Sequence, residues 1–373
     1  MKIIGIVAEY NPLHNGHIYQ IKLIKKMFPE SIIIVSMSGN FTERGELSVL
    51  DKYTKTLLAL QNKVDIVLEV PFAYSNQSAD TFSYAALKML NEFKIDALVF
   101  GSESADKSFL YEIANLQINN NKFDSLVKSY VSEGYNYPTS LSKAIKNLTG
   151  KTIKESNDLL AISYIKEIIK NNYKIEVLPI KRTNDFYKAN DTNIISAYKI
   201  REYLSENKSV KKYIPNYSEN LLKKIPYDKI FTLLKYKIIS EKESLYKYHL
   251  VTEGIENRIY KSAIKSNSYE ELVNSIKNKR ITSLRANRIL MNILVGFTKE
   301  ESLKYKSLNY IRLLGLSKEG KKYYNKIKKD INIPIYTKYT KENNEELELK
   351  ATRIYNLITN TKTNELKEHT ITL

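Results

Sequence analysis

Five short runs rich in isoleucine and valine punctuate the first half of the chain: 3–8 (IIGIVA), 32–37 (IIIVSM), 66–70 (IVLEV), 97–101 (ALVFG) and 175–180 (IEVLPI). Each is too short for a buried helix and too continuously apolar for a strand with one wet face. Such runs are strands covered on both sides. Between them the apolar residues recur at helical spacing. Ile18, Ile21, Ile24 and Phe28 share one face of a segment over 16–28, and 51–62 and 77–93 behave similarly. Strand and helix in alternation specify an α/β fold with a parallel sheet clothed in helices. A longer insertion, about 104–156, is expected to carry helices and a loop around GYNYPTS.

From about residue 206 the strand signal fades. Helical patterns follow at 218–238, 254–266, 269–278 and 282–297, then a short strand in IPIYTKY and a helix in NEELELKATRIYNLI. The charge changes at the same place. Residues 1–205 hold 25 Lys and Arg against 22 Asp and Glu; residues 206–373 hold 34 against 19. A genome-wide lysine bias would spread evenly, so an excess confined to one half is the footprint of a polyanionic partner such as nucleic acid. The expected organisation is an α/β region over 1–205 and a mainly helical, basic region over 206–373. The chain has no cysteine, which excludes disulfides, any disulfide-linked partner, thiolate nucleophiles and Cys-ligated zinc. No run approaches the roughly 18 apolar residues of a membrane span. The start, MKIIGIVAEYN, lacks an apolar leader, so the expected location is cytoplasmic, with no membrane partner. No metal-ligand spacing is present.

The first strand runs into EYNPLHNGH, which holds two of only four histidines, His14 and His17. In an open parallel sheet, ligands bind beyond the carboxyl ends of strands and at helix N-termini. Pro12 fixes the backbone early in the loop, and Gly16 permits close backbone approach and tight entry to the helix. Two imidazoles at a helix mouth can donate to phosphate oxygens and stabilise charge on a departing pyrophosphate.

HNGH in this position resembles the HxGH signature of the nucleotidyltransferase superfamily, which includes class I aminoacyl-tRNA synthetases. GIVAEYNPLHNGH, SGNFTERGE, VDIVLEVPFAYSNQSADTF and DALVFGSE, in this order, resemble the bacterial tRNA(Met) cytidine acetate ligase family. The likeness covers residues 1–205 and, more weakly, the basic half. It implies a Rossmann-like nucleotidyltransferase domain at 1–205 followed by a tRNA-binding region at 206–373. It also implies ATP with Mg²⁺ as cofactor, and acetate and elongator tRNA(Met) as partners. The implied reaction forms acetyl-adenylate and pyrophosphate, then passes the acetyl group to N4 of the wobble cytidine and releases AMP. His14 and His17 would be catalytic. ATP would be wrapped by Val7, Ala8, Glu9, Tyr10, Asn11, Pro12, Leu13, His14, Asn15, Gly16, His17, Ile18, Tyr19 and Gln20. Gly101, Asn157 and Arg182 match nucleotide-binding positions of the family. ISAYKIR, 195–201, resembles the superfamily's S-[AS]-T-x-I-R phosphate element in Ser196 and Arg201, while Tyr198 replaces its usual threonine.

Other polar residues near strand ends, Glu9, Asn40, Arg44, Asp65, Glu69 and Ser102, could each orient acetate, Mg²⁺ or ATP or merely brace a loop. None stands out as a general base, and none is required: acetate is already a carboxylate and an acyl-adenylate is strongly activated, so positioning and charge stabilisation would suffice. In the basic half, Arg280, Arg285 and Arg288 lie beside an apolar stripe of Leu284, Ile289, Leu290 and Ile293. KEGKKYYNKIKKD interleaves lysines with Tyr323 and Tyr324. Both patterns suit RNA phosphates and bases. Two other readings remain at this level. A nucleotidyltransferase acting on a small phosphorylated cofactor precursor explains HNGH but leaves the basic half idle. A non-catalytic RNA-binding protein explains the charge alone. A synthetase is disfavoured because no KMSKS-like loop is present.

Overall fold

The computed structural model describes residues 1–373 except 154, 183–192, 253, 341–342 and 344. Among the described residues one eight-stranded sheet organises the fold. The strands are β1 (Ile3–Ala8), β2 (Ile32–Ser38), β3 (Ile66–Val70), β4 (Ala97–Ser102), β5 (Glu176–Lys181), β6 (Ile311–Leu316), β7 (Ile335–Tyr336) and β8 (Ile371–Thr372). Their order is β5-β4-β1-β2-β3-β6-β7, with β8 also paired to β6. β1 to β5 are mutually parallel, with Ile3 opposite Ile32 on one side of β1 and Ile4 opposite Ala97 on the other. The order reverses between β1 and β4, which opens a crevice at their carboxyl ends. All five strands expected from the sequence form within a residue of their expected limits.

The helices cover both faces. Asn15–Met27 buries Ile21 and Ile24 against one face, and Ala79–Glu92 and Ser156–Lys170 cover the other. The insertion forms three helices, Lys107–Asn119, Asn121–Ser132 and Tyr137–Thr149. The basic half supplies Tyr227–Ser240, Ile255–Lys265, Tyr269–Ile276, Ser283–Val295, Lys318–Ile327 and Glu346–Thr359. It also supplies β6, which runs antiparallel to β3 and extends the sheet of the first half.

The short strand in IPIYTKY is present as β7, whereas β6, in YIRLLGL, carried no strand expectation. Arg312 interrupts that apolar run yet is fully buried, donating to Tyr336 O at 3.2 Å and Glu368 O at 3.0 Å beneath the Tyr339 ring. Tyr323 and Tyr324 are not the RNA-stacking pair their lysine-rich setting suggested. The Tyr323 hydroxyl donates to Phe93 O at 2.9 Å, and Tyr324 stacks on Phe93 with centroids 6.1 Å apart. Both rings dock the Lys318–Ile327 helix on the fold.

Candidate active site

His14 is the N-cap of the Asn15–Met27 helix. Its Nδ1 accepts from Gly16 N at 3.0 Å, while the Nδ1 of His17 accepts from His14 N at 3.2 Å. Two histidines thus close a reciprocal capping box, a task more often given to Ser or Thr with Glu. An Nδ1 that accepts carries no proton, so in the neutral ring the proton sits on Nε2. Burial, with Arg182 and Arg201 nearby, pushes His14 down to about 3. Burial, His14 and Arg182 hold His17 well below the usual imidazole range. Both rings are therefore neutral near pH 7 and keep Nε2–H as a donor. Their centroids lie 3.9 Å apart, and Tyr10 meets His17 edge-on at 4.8 Å.

These depressed values carry a sign. The unfolded chain takes up protons on these rings near pH 6.5, and the native chain does not until far lower. Stability is then fully present above about pH 6.5 and falls as pH drops, by up to about 1.4 kcal/mol per pH unit for each such ring. Urea denaturation at pH 7.5 and pH 5.0 should show a lower midpoint at pH 5.0. In a His14→Asn/His17→Asn variant the difference should shrink.

Both histidines face a cavity of about 1170 Å³ at the carboxyl edge of the sheet. The expected residues Val7, Ala8, Glu9, Tyr10, Asn11, Gln20, Gly101, Asn157, Arg182, Ser196 and Arg201 line it too. Pro12, Leu13, Asn15, Gly16, Ile18 and Tyr19 do not, and most of them build the loop from behind. Leu13 lies in the core, Asn15 donates to Asn193 O and Lys212 O, and Gly16 packs against the His14 ring, where a Cβ would come within 2.7 Å of Cε1. Gln20 ties the helix to β4 through Val99 O at 3.1 Å.

Beyond β4, a Cβ on Gly101 would meet the Arg182 stem at 3.0–3.1 Å, so the glycine makes room for that side chain. Arg182 Nη1 donates to Asn157 Oδ1 at 3.3 Å, and Asn157 Nδ2 donates to Glu103. Ser196 caps the Ala197–Ser205 helix by accepting from Lys199 N at 3.2 Å. Arg201 donates to Asn11 O at 2.8 Å and to Glu46 at 2.9 Å. Tyr198 points its ring to solvent at the cavity rim, 66% exposed.

Of the residues that could have served either site or loop, Asn40, Asp65, Glu69 and Ser102 brace the fold. Asn40 Oδ1 accepts from Lys52 N, Asp65 from Ile33 N and Ser317 Oγ, and Glu69 from Lys52 Nζ, while Ser102 donates to Asp158 at 2.5 Å. Glu9 and Arg44 alone in that group line the cavity.

Part of the lining comes from the basic half. Arg280, Arg285 and Arg288 line the same cavity, with the partly exposed Leu284 beside them. Arg285 Nη2 donates to Thr252 Oγ1 at 3.1 Å, and Arg288 donates to Glu43 O at 2.6 Å and pairs with the Glu43 carboxylate. Sequence reasoning missed His249, which lines this part, and Lys55. Lys55 is fully buried and donates to Glu9 O (3.0 Å), Ser38 O (2.8 Å) and Gly39 O (2.7 Å), joining the ends of β1 and β2. Its signal was spacing: Lys52, Lys55 and Ala59 share a face of a helix whose apolar residues are core.

The HIGH Nucleotidyl Transferase family profile matches residues 1–370. The chain is 36% identical to the tRNA(Met) cytidine acetate ligase of Caldicellulosiruptor saccharolyticus, covering 96% of this chain and 94% of that protein. It is 35% identical to that of Clostridium acetobutylicum, covering 99% and 98%. The crystal structure of Thermotoga maritima TmcAL bound with alpha-thio ATP superposes with a TM-score of 0.87 at 27% identity over the whole of both chains. The chain belongs to the HIGH nucleotidyltransferase family and, within it, to the tRNA(Met) cytidine acetate ligases.

Proposed function

We propose that this chain is an ATP-dependent ligase that acetylates N4 of the wobble cytidine of elongator tRNA(Met). An acetate oxygen attacks the α-phosphorus of ATP, the bond from that phosphorus to the bridging oxygen breaks, and pyrophosphate leaves. The N4 lone pair of the cytidine then attacks the acetyl carbonyl. The carbon–oxygen bond to AMP breaks, the amine loses a proton and AMP leaves. His14 and His17 would donate Nε2–H to the departing pyrophosphate, helped by the N-terminus of their helix and by Arg201. Asn157 and Arg182 would hold the nucleotide beside Gly101.

The observation that carries this reading is one cavity lined by both halves of the chain. The neutral histidine pair and three arginines from the basic half line it together. A nucleotide site and a polyanion-facing surface then meet where acyl transfer would occur, an arrangement a cofactor-precursor nucleotidyltransferase does not need. Magnesium would enter on the triphosphate. Among the described residues no three His, Asp or Glu side chains converge as a cage, and Mg²⁺ commonly relies on substrate phosphates for its ligands.

The test is ATP–pyrophosphate isotope exchange without tRNA. Exchange should require acetate. Exchange unchanged without any carboxylate would point instead to a plain nucleotidyltransferase.

A further inference from the structure

The charged groups of the cavity are unevenly matched. Glu43 is paired with Arg288, and Glu46 with Arg201 at 2.9 Å. Glu9 Oε1 accepts from Glu43 N at 2.8 Å. Between Glu43 and Glu46 in the sequence stands Arg44, half-buried and lining the cavity. Among the described residues its guanidinium makes no hydrogen bond or close ion pair, and the Glu43 and Glu46 carboxylates that its charge reaches are themselves bonded to Arg288 and Arg201. Buried and half-buried arginines are ordinarily paired, because an unmatched charge away from water is costly. A guanidinium left so in a ligand cavity is placed for an anion that arrives with the substrates.

The backbone that carries Arg44 is held on every side. Lys55 grips Ser38 O and Gly39 O at its root, and Arg288 takes Glu43 O. Thr42 N bonds Glu46 O, and Gly45 N bonds Thr42 O. Gly45 has a φ of 71°, and a Cβ there would come within 2.5 Å of Arg288 N, so the turn is pressed against the Ser283–Val295 helix. A rigid turn carrying an arginine whose donors make no hydrogen bond is a preorganised anion site.

The geometry points to Arg44 as the residue that holds the carboxylate of acetate, an assignment that rests on the ligase reading above. Position selects acetate over the triphosphate. Gly101, Asn157 and Arg182 lie at the β4 end, and the histidine pair follows β1. Arg44 lies in the turn beyond β2, the next strand in the sheet order. Nucleoside, phosphorus and incoming carboxylate would then be ordered β4, β1, β2 along the sheet edge. In-line displacement needs the nucleophile on the side of the phosphorus away from the leaving group. The groups suited to pyrophosphate, His14, His17 and the Ser196 helix end, belong to β1 and the segment beyond β5; Arg201 of that helix reaches the Arg44 turn with its guanidinium already engaged by Glu46 and Asn11 O. Guanidinium geometry matches a carboxylate in bidentate fashion. When the new oxygen–phosphorus bond forms, acetate loses its negative charge, so the grip weakens as the adenylate is made and the acetyl group is freed for transfer.

The test is acetate-dependent ATP–pyrophosphate exchange by wild type, Arg44→Lys and Arg44→Met, with acetate and Mg-ATP varied separately. In Arg44→Met the KM for acetate should rise about ten- to a hundredfold, the usual worth of a charge-assisted pair. The KM for ATP should stay within about twofold. Arg44→Lys, which keeps the charge but not the fork, should fall between and guards against a misfolded Met variant. A rise in the KM for ATP with acetate unmoved would overturn the assignment and give Arg44 to the triphosphate. No change in either KM would overturn it as well. If wild type showed no dependence on acetate, the ligase reading itself would fail and take this assignment with it.

Discussion

Replacing His17 with alanine should lower turnover in ATP–pyrophosphate exchange by about 10²–10³-fold, the cost of removing one preorganised donor from a developing oxyanion. The effect should fall on turnover far more than on the KM for ATP, because the Nε2 donor is needed most as charge gathers on pyrophosphate. His14→Ala should lose comparable turnover and also stability. Its Nδ1 accepts from Gly16 N as the helix cap, and losing a capping side chain costs about 1 kcal/mol. His14→Asn separates the roles. Asparagine is a good cap but offers no donor at the Nε2 position, so it should recover the urea midpoint without recovering exchange. Full recovery of exchange in His14→Asn would mean that His14 acts only as a cap.

Lys52→Met should destabilise the protein by about 3–5 kcal/mol, as expected when one partner of a buried ion pair is removed. Lys52 Nζ lies 2.7 Å from Glu69 Oε1 and 2.5 Å from Glu365 Oε1, and all three side chains are at most 2% exposed. The opposed charges hold Lys52 well above the usual ammonium range, while burial raises Glu69. Without the lysine, two carboxylates would face each other away from water. Loss of the cooperative urea transition, or a midpoint shift of that size, is the expected readout; a shift under about 1 kcal/mol would contradict it. Adding Glu69→Gln and Glu365→Gln to Lys52→Met should restore part of the loss, since the uncompensated charges are then gone. Glu365 comes from the far end of the chain, and Tyr53 donates to its other oxygen at 2.7 Å. A fragment ending at residue 205 would therefore lack Glu365 for Lys52 and β6 for the edge of β3, and should not give a cooperative transition.

The parallel strands were legible because burial on both faces leaves a plain mark, a short run of isoleucine and valine. β6 was not, because its buried Arg312 reads as a surface residue until Tyr336, Tyr339 and Glu368 are folded around it. The place of the histidine pair, at a helix mouth facing the cavity, was legible from its loop and its helix. Its reciprocal capping was not, because imidazole seldom caps helices and only the backbone angles reveal it. The arginines at 285 and 288 were legible as a cationic helix face, whereas Arg280, expected beside them, stands in the bend before that helix. That this face closes the same cavity as the histidines is long-range packing, which no local pattern encodes. Tyr323 and Tyr324 mark the opposite error, since lysines around an aromatic pair describe the solvent side of a helix as readily as an RNA platform.

Acetyl transfer to tRNA is the decisive reaction to measure. Purified protein, Mg-ATP, isotopically labelled acetate and bulk bacterial tRNA would be incubated, and the tRNA digested to nucleosides for mass spectrometry. Labelled N4-acetylcytidine should appear with wild type and be absent with His17→Ala over the same period. ATP cleaved to AMP with no acetylcytidine in any tRNA would contradict the acceptor assigned here.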